Sequence, residues 1–147
     1  MLYIASDHAG YQLKKHLVTF LNNTLKIPVK DLGPEKFDED DDYPDFALTT
    51  AKKVTESKTN IGILICGSGN GICLAANKVN GVRAILGYNI EAAEFGRKHN
   101  DANMLCLAGR VLSDEHATAI VKKFLETEFT NDERHVRRLK KIPGAVI

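Results

Sequence analysis

The sequence predicts one α/β domain, a parallel sheet with helices on both faces, and three observations predict it. Short apolar runs rich in branched residues alternate with longer amphipathic stretches along the whole chain. One run, Ile61-Gly62-Ile63-Leu64-Ile65-Cys66, is apolar at nearly every position, as expected of a strand covered on both faces. No repeat, linker or shift of composition interrupts the alternation, and 147 residues fit one domain of about 100–150.

In chain order, Leu2–Ala5 reads as the first strand, and Leu13, Leu17, Phe20 and Leu21 recur at helical spacing after it. Val29–Leu32 is the second strand. The acidic run Asp38–Asp42 that follows reads as a solvated loop, and Pro44 opens the next helix. Strand Ile61–Cys66 leads through a glycine-rich loop into a helix over Ile72–Lys78. Val82–Leu86 is the fourth strand, and Asn89 caps a helix through Glu91, Ala92, Ala93 and Phe95. Met104–Leu107 is the fifth strand. Ser113 caps the next helix, with Asp114 and Glu115 in its first turn and Ala117, Ile120, Val121, Phe124 and Leu125 on its apolar face. The expectation is a single Rossmann-like (flavodoxin-like) three-layer domain, 1–147, with a five-stranded parallel sheet and a basic C-terminal helix and tail over 131–147.

Composition narrows the functions. With 20 basic and 19 acidic residues the chain is near neutral, which argues against nucleic acid or an anionic membrane surface as partner. From Asn131 onward five Lys/Arg face two acids, a local basic tail that suits a small anion. No apolar run approaches the roughly 18 residues that span a bilayer, and the first residues, MLYIASDHAG, do not read as a secretion signal. Cys66, Cys73 and Cys106 form no metal-ligand pair, so a reduced, cytoplasmic setting without a disulfide scaffold is expected.

In parallel sheets, ligands bind beyond the carboxyl ends of the strands. The first strand there runs into Ser6-Asp7-His8-Ala9-Gly10, the third into Cys66-Gly67-Ser68-Gly69-Asn70-Gly71, the fifth into Ala108-Gly109-Arg110. The glycines of the middle segment permit close backbone approach and positive φ, so successive N–H groups can face an anion. A nucleotide P-loop would place Lys-Ser/Thr after the last glycine, where Ile72-Cys73 stand. A dinucleotide fingerprint needs G-x-G-x-x-G, and the spacing here is G-x-G-x-G. A cysteine-phosphatase loop needs arginine at position 72. What remains is a cysteine at a strand end facing a donor-rich loop, where a thiolate with its pKa lowered can act as general base. Cys73 and Cys106 read as small packing residues.

These segments, with Asp42-Tyr43-Pro44-Asp45, Ala75-Ala76-Asn77-Lys78, His99-Asn100-Asp101-Ala102-Asn103, Gly109-Arg110-Val111 and Arg134-His135-x-x-Arg138, resemble the type B ribose-5-phosphate isomerases over essentially the whole chain. That family also holds galactose- and allose-phosphate isomerases. The resemblance implies metal-independent aldose–ketose isomerisation through an enediolate, with no cofactor. It implies Cys66 as the proton-shuttling base; some members carry a Glu where this chain has Ile72, a departure that favours the cysteine. Ser68 would hydrogen-bond the thiolate or a sugar hydroxyl, and the amides of Gly67, Gly69, Asn70 and Gly71 would hold the enediolate. His99 resembles the residue that opens the sugar ring, Asn100 a hydroxyl contact, and Asp7, His8 and Tyr43 substrate contacts, Asp7 handling hydroxyl protons. Arg134 and Arg138, spaced i, i+4 on one helix face, suit a phosphate dianion, with His135 and Arg110 as further candidates. The resemblance also implies a homodimer, able to pair into tetramers, with sites shared between subunits. The apolar segment Ile142–Ile147 is expected to pack on that partner.

Two alternatives stay open. One is the same chemistry on allose or galactose 6-phosphate, although the galactose-specific subunits lack the histidine matching His99. The other is a non-catalytic phosphosugar- or nucleotide-binding module, which leaves Cys66 and His99 without work. A redox-sensing role for Cys66 is a weaker third.

Overall fold

A computed structural model describes residues 1–146. The strands are β1 (Leu2–Ser6), β2 (Val29–Asp31), β3 (Ile61–Cys66), β4 (Ala84–Leu86) and β5 (Met104–Ala108). They form one sheet in the order β2-β1-β3-β5-β4, and every neighbouring pair is parallel. The connecting helices are α1 (Tyr11–Thr19), α2 (Tyr43–Thr55), α3 (Asn70–Ala76), α4 (Ile90–Asn100) and α5 (Asp114–Glu126), followed by α6 (Glu133–Leu139). A wide π turn, Phe20–Thr24, extends α1. Asn89 and Ser113 cap α4 and α5 as the sequence predicts, their side chains accepting from the N–H of Ala92 and His116.

The unbroken apolar character of β3 has its cause in the two faces it serves. Ile63 and Ile65, with Ile4, Leu105 and Leu107, pack under Leu17, Leu21, Ile120 and Phe124. Leu64 and Cys66, with Tyr3, Met104 and Cys106, pack under Ala47, Ala51, Val54 and Ile72 of α2 and α3. Period-two alternation therefore directs Cys66 to the side covered by α2 and α3.

Two boundaries differ from expectation for one reason. The fourth strand is three residues, not five, and α3 stops at Ala76. Asn77 lies between them: its Oδ1 accepts from Ala84 N–H at 2.9 Å and its Nδ2 donates to Ala84 O at 2.9 Å. The amide side chain thus occupies the open edge of β4, and a short, covered edge resists pairing with another chain there. At the C-terminus, Gly81 N–H donates to Gly144 O at 2.7 Å and Arg83 Nη1 to Val146 O at 2.6 Å. The tail backbone is tied to its own chain, while Ile142 and Val146 stay more than half exposed. Ile147 lies outside the described residues.

Lys14 is a core residue that amphipathic patterning misses. It is 1 % exposed, and its Nζ donates to both Asp31 carboxylate oxygens (2.8 and 2.9 Å) and to Pro34 O (2.7 Å). Three acceptors satisfy the three donors of the ammonium, which is what makes its burial tolerable. The bonds tie α1 to the exit of β2 and to the loop that follows. Lys14→Met is expected to lower stability by about 1–3 kcal/mol in urea unfolding, since Asp31 keeps partial access to water. A change below about 0.5 kcal/mol would remove Lys14 as the anchor of that loop.

Candidate functional site

The chain leaves β1 on one side to form β2 and on the other to form β3, so the crevice beyond β1 and β3 is where strand order reverses. Three strand ends meet there at very short range. A Cβ on Gly10 would lie 2.6 Å from Ile65 O, and one on Gly109 would lie 2.7 Å from Ala9 O. Gly109 N–H donates to Cys66 O at 2.8 Å and Arg110 N–H to Gly67 O at 3.1 Å. Residues without a side chain are what allow β1, β3 and β5 to converge.

Asp7 caps a single 3₁₀ turn, His8–Gly10, its side chain accepting from Gly10 N–H at 3.1 Å. Burial pushes its carboxyl above the ordinary range, against the Gly10 N–H and the charge of His8, with the Asp41 carboxylate adding to the rise. His8 Nδ1 lies 2.7 Å from Asp41 Oδ1, and the His8 backbone N–H donates to the same oxygen at 2.9 Å. That hydrogen bond raises the His8 pKa; partial burial and Arg110 oppose it, and the charges of Asp7 and Asp41 add to it.

Cys66 is buried, and Gly69 N–H donates to its Sγ at 3.2 Å. Gly69 makes this turn at φ +78°, where a Cβ would strike Leu86 at 2.5 Å. Ser68 is exposed, its Oγ accepting from Asn70 N–H at 3.3 Å. The Tyr43 ring lies on Gly71, whose Cβ would sit 2.7 Å from Cζ, and Arg110 lies over Gly67. Asp7, His8, Tyr43, Cys66, Ser68, the loop amides of Gly67, Gly69, Asn70 and Gly71, and Arg110 are thus gathered at the carboxyl end of the sheet.

The other predicted residues lie at the opposite end. α4 runs back from the exit of β4, and His99 and Asn100 occupy its last turn, ahead of the start of β5. Met104 pairs with Gly62, whereas Ala108 pairs with Cys66. Four residues of strand separate the two levels, about 13 Å at 3.3 Å per residue, before the further distance to His99 is added. His99 stacks between Phe95 (ring centroids 4.9 Å) and His135 (4.3 Å). His135 is buried, its Nε2 makes no hydrogen bond among the described residues, and its pKa is pushed down by burial first and then by the charges of His99, Arg134 and Arg138, with Asp132 opposing. Arg134 and Arg138 project from α6 as exposed side chains. Within one chain, Cys66 and His99 do not meet.

Sequence reasoning missed Asp41. It belongs to a run expected to be solvated, yet its side chain is 9 % exposed and turned onto His8. A charge run carries no mark of which member folds inward, so only tertiary structure singles it out. Asp7, His8 and Asp41 also form a grouping whose potential ligand atoms lie within 4.8 Å of one another. The bond between His8 Nδ1 and Asp41 Oδ1 makes it an acid–imidazole pair. Cys106 is fully buried, and burial pushes its thiol well up, as suits a packing residue. Among the described residues no helix is long and apolar enough to cross a membrane.

Known proteins share this architecture. The Ribose/Galactose Isomerase family profile matches residues 2–142. The probable ribose-5-phosphate isomerase B of Mycoplasma genitalium is 48% identical over 142 residues, covering 96% of this chain and 92% of its own. The ribose-5-phosphate isomerase B of Mycobacterium tuberculosis is 38% identical, over 94% of this chain and 85% of its own. The crystal structure of ribose-5-phosphate isomerase B from Mycoplasma genitalium, with bound ribulose-5-phosphate, superposes with a TM-score of 0.89 at 46% identity, covering 95% of this chain and 91% of that one. The type B enzyme of Trypanosoma cruzi gives 0.89 at 38% identity, over 95% and 92%. With the family profile matched over residues 2–142 and relatives 38–48% identical over nearly the whole length, the chain belongs to the ribose/galactose isomerase family.

Proposed function

We propose that this chain is a metal-independent isomerase interconverting D-ribose 5-phosphate and D-ribulose 5-phosphate, working in the cytoplasm as a homodimer. The observation that carries the reading is Cys66, whose Sγ receives the Gly69 N–H at 3.2 Å inside a glycine-rich loop beside Asp7 and Arg110. Chemistry of this kind needs a base that can take and return one carbon-bound proton. The Cys66 thiolate removes the proton from C2 of the open-chain aldose, leaving an enediolate, and returns it to C1. The proton on O2 leaves and one arrives on O1, a transfer within reach of the Asp7 carboxyl, which burial holds above the ordinary range. The loop amides supply donors for the developing oxyanion, where removing one typically costs roughly 10²–10³ in rate.

Ring opening, assigned to His99, and hydroxyl contact, assigned to Asn100, call for residues at the far end of the same sheet. A second copy of the chain supplies them, bringing Arg134 and Arg138 to the phosphate opposite Arg110 and His8. Dimerisation is supported by what surrounds His99. Phe95 and Ile142 are exposed, and a cavity of about 180 Å³ opens between Ile85, Asn100, Leu139 and Ile142. His135, buried and disposed to stay neutral, suits support of the His99 ring by stacking better than it suits phosphate.

Cys66→Ser is expected to cut turnover of ribose 5-phosphate by at least about 10²-fold while the sugar still binds by calorimetry. Turnover near wild type would move the base elsewhere, and turnover of allose or galactose 6-phosphate alone would keep the mechanism and change the substrate. Arg134→Ala should raise KM about tenfold or more with little effect on kcat; an unchanged KM removes it from the phosphate site. Mixed and refolded together, the inactive Cys66→Ser and His99→Asn proteins should recover up to about a quarter of wild-type activity, because half the dimers are mixed and each carries one intact site. No recovery would contradict sites shared across the dimer.

A further inference from the structure

The acidic run between β2 and α2 sends one carboxylate, Asp41, back over the first strand end, and its bonding there is specific. A single oxygen, Oδ1, accepts two hydrogen bonds from one residue, from the His8 backbone N–H at 2.9 Å and from His8 Nδ1 at 2.7 Å. A carboxylate only accepts, so the ring proton must sit on Nδ1, and the second nitrogen, Nε2, is left for another partner. The Phe37 ring, 6.4 Å away at 89°, stands edge-on to the same imidazole. The backbone bond places Asp41, and the Nδ1 bond with the ring wall holds the His8 imidazole in one orientation. The other oxygen, Oδ2, is buried and meets no donor among the described residues. An uncompensated acceptor of that kind costs free energy, and its charge is offset most directly by a cation alongside.

We propose that Asp41 is a positioning residue that keeps His8 as an imidazolium with Nε2–H directed to the phosphate of the substrate. This rests on the phosphosugar reading of the site and extends it to a residue that never touches the sugar. The charged groups facing His8 are Asp7 from its own turn, Asp41 from the loop after β2, and Arg110 from the end of β5. The two carboxylates favour the protonated ring and Arg110 opposes it, with the Asp41 hydrogen bond the largest influence, so the His8 pKa stands above its usual value. The sign follows directly. The cationic donor is present below that raised pKa and is lost as pH rises through it, so phosphate affinity should fall over the same interval.

Asp41→Asn keeps an acceptor of the same shape and removes the charge. By NMR titration, the His8 ring in this variant should deprotonate at lower pH than in the wild type. KM for ribose 5-phosphate should rise roughly five- to tenfold at pH 8 while changing little at pH 6, with kcat within about twofold throughout. Asp41→Glu should restore part of the high-pH affinity, and in a His8→Asn background Asp41→Asn should add nothing. A His8 titration that does not move, a KM–pH profile that superimposes on the wild type, or a full further loss in the His8→Asn background would each overturn the role. Inorganic phosphate, followed through the His8 ring signals, separates this from failure of the isomerase reading. If ribose 5-phosphate is not turned over, pH-dependent phosphate binding that weakens in Asp41→Asn still supports Asp41, and binding indifferent to the variant refutes it.

Discussion

The closeness of three strand ends governs nearly everything else in this molecule. β1, β3 and β5 deliver their last residues to one small region because Gly10 sits against Ile65 and Gly109 against Ala9 at separations that leave no room for a Cβ. A single added methyl group at either position would force the backbones apart, and with them Asp7, Cys66 and Arg110. The hydrogen bonds Gly109 N–H to Cys66 O and Asp7 N–H to Ile65 O then lock the three exits in register. The cysteine loop can form its tight turn only because those exits are already fixed, with Gly69 in the left-handed region fitting against Leu86 and Leu107.

Around that junction, Lys14 and His8 are set by neighbours distant in sequence. Lys14 of α1 is buried on Asp31 and Pro34, which secures the start of the loop after β2. The same loop carries Phe37 and Asp41 over the first strand end, so the orientation of His8 depends on a contact 33 residues away. Asp7 owes its raised pKa chiefly to burial, whereas His8 owes its own chiefly to a hydrogen bond. Neighbouring titratable residues are thus pushed in the same direction by different physics, one toward neutrality and one toward charge. That combination favours a protonated carboxyl beside a protonated imidazole.

The opposite end of the sheet has a different character. His99 is held by stacking between Phe95 and His135 rather than by a carboxylate, and the arginines of α6 extend into solvent. On the proposed reading, these side chains, displaced from the cysteine by the length of a strand, form half of a site. In the proposed homodimer, two-fold symmetry would place each end of the sheet in a different active centre.

Much of this was legible without coordinates. Alternating apolar and amphipathic segments determine five strands and their helices because burial on two faces and on one face impose different periods. The glycine spacing after Cys66 excludes three competing phosphate loops, since each requires a residue that Ile72 and Cys73 do not supply. Caps such as Asn89 and Ser113 are equally local, a side chain bonding an N–H three residues on. What the tertiary structure alone decided are pairings across long stretches of chain: Lys14 with Asp31, Asp41 with His8, Asn77 with the edge of β4, and the distance between Cys66 and His99. A lysine, a run of aspartates or an asparagine carries no periodic signal of its partner. Their burial depends on which surfaces packing brings together, and that is a property of the folded chain as a whole.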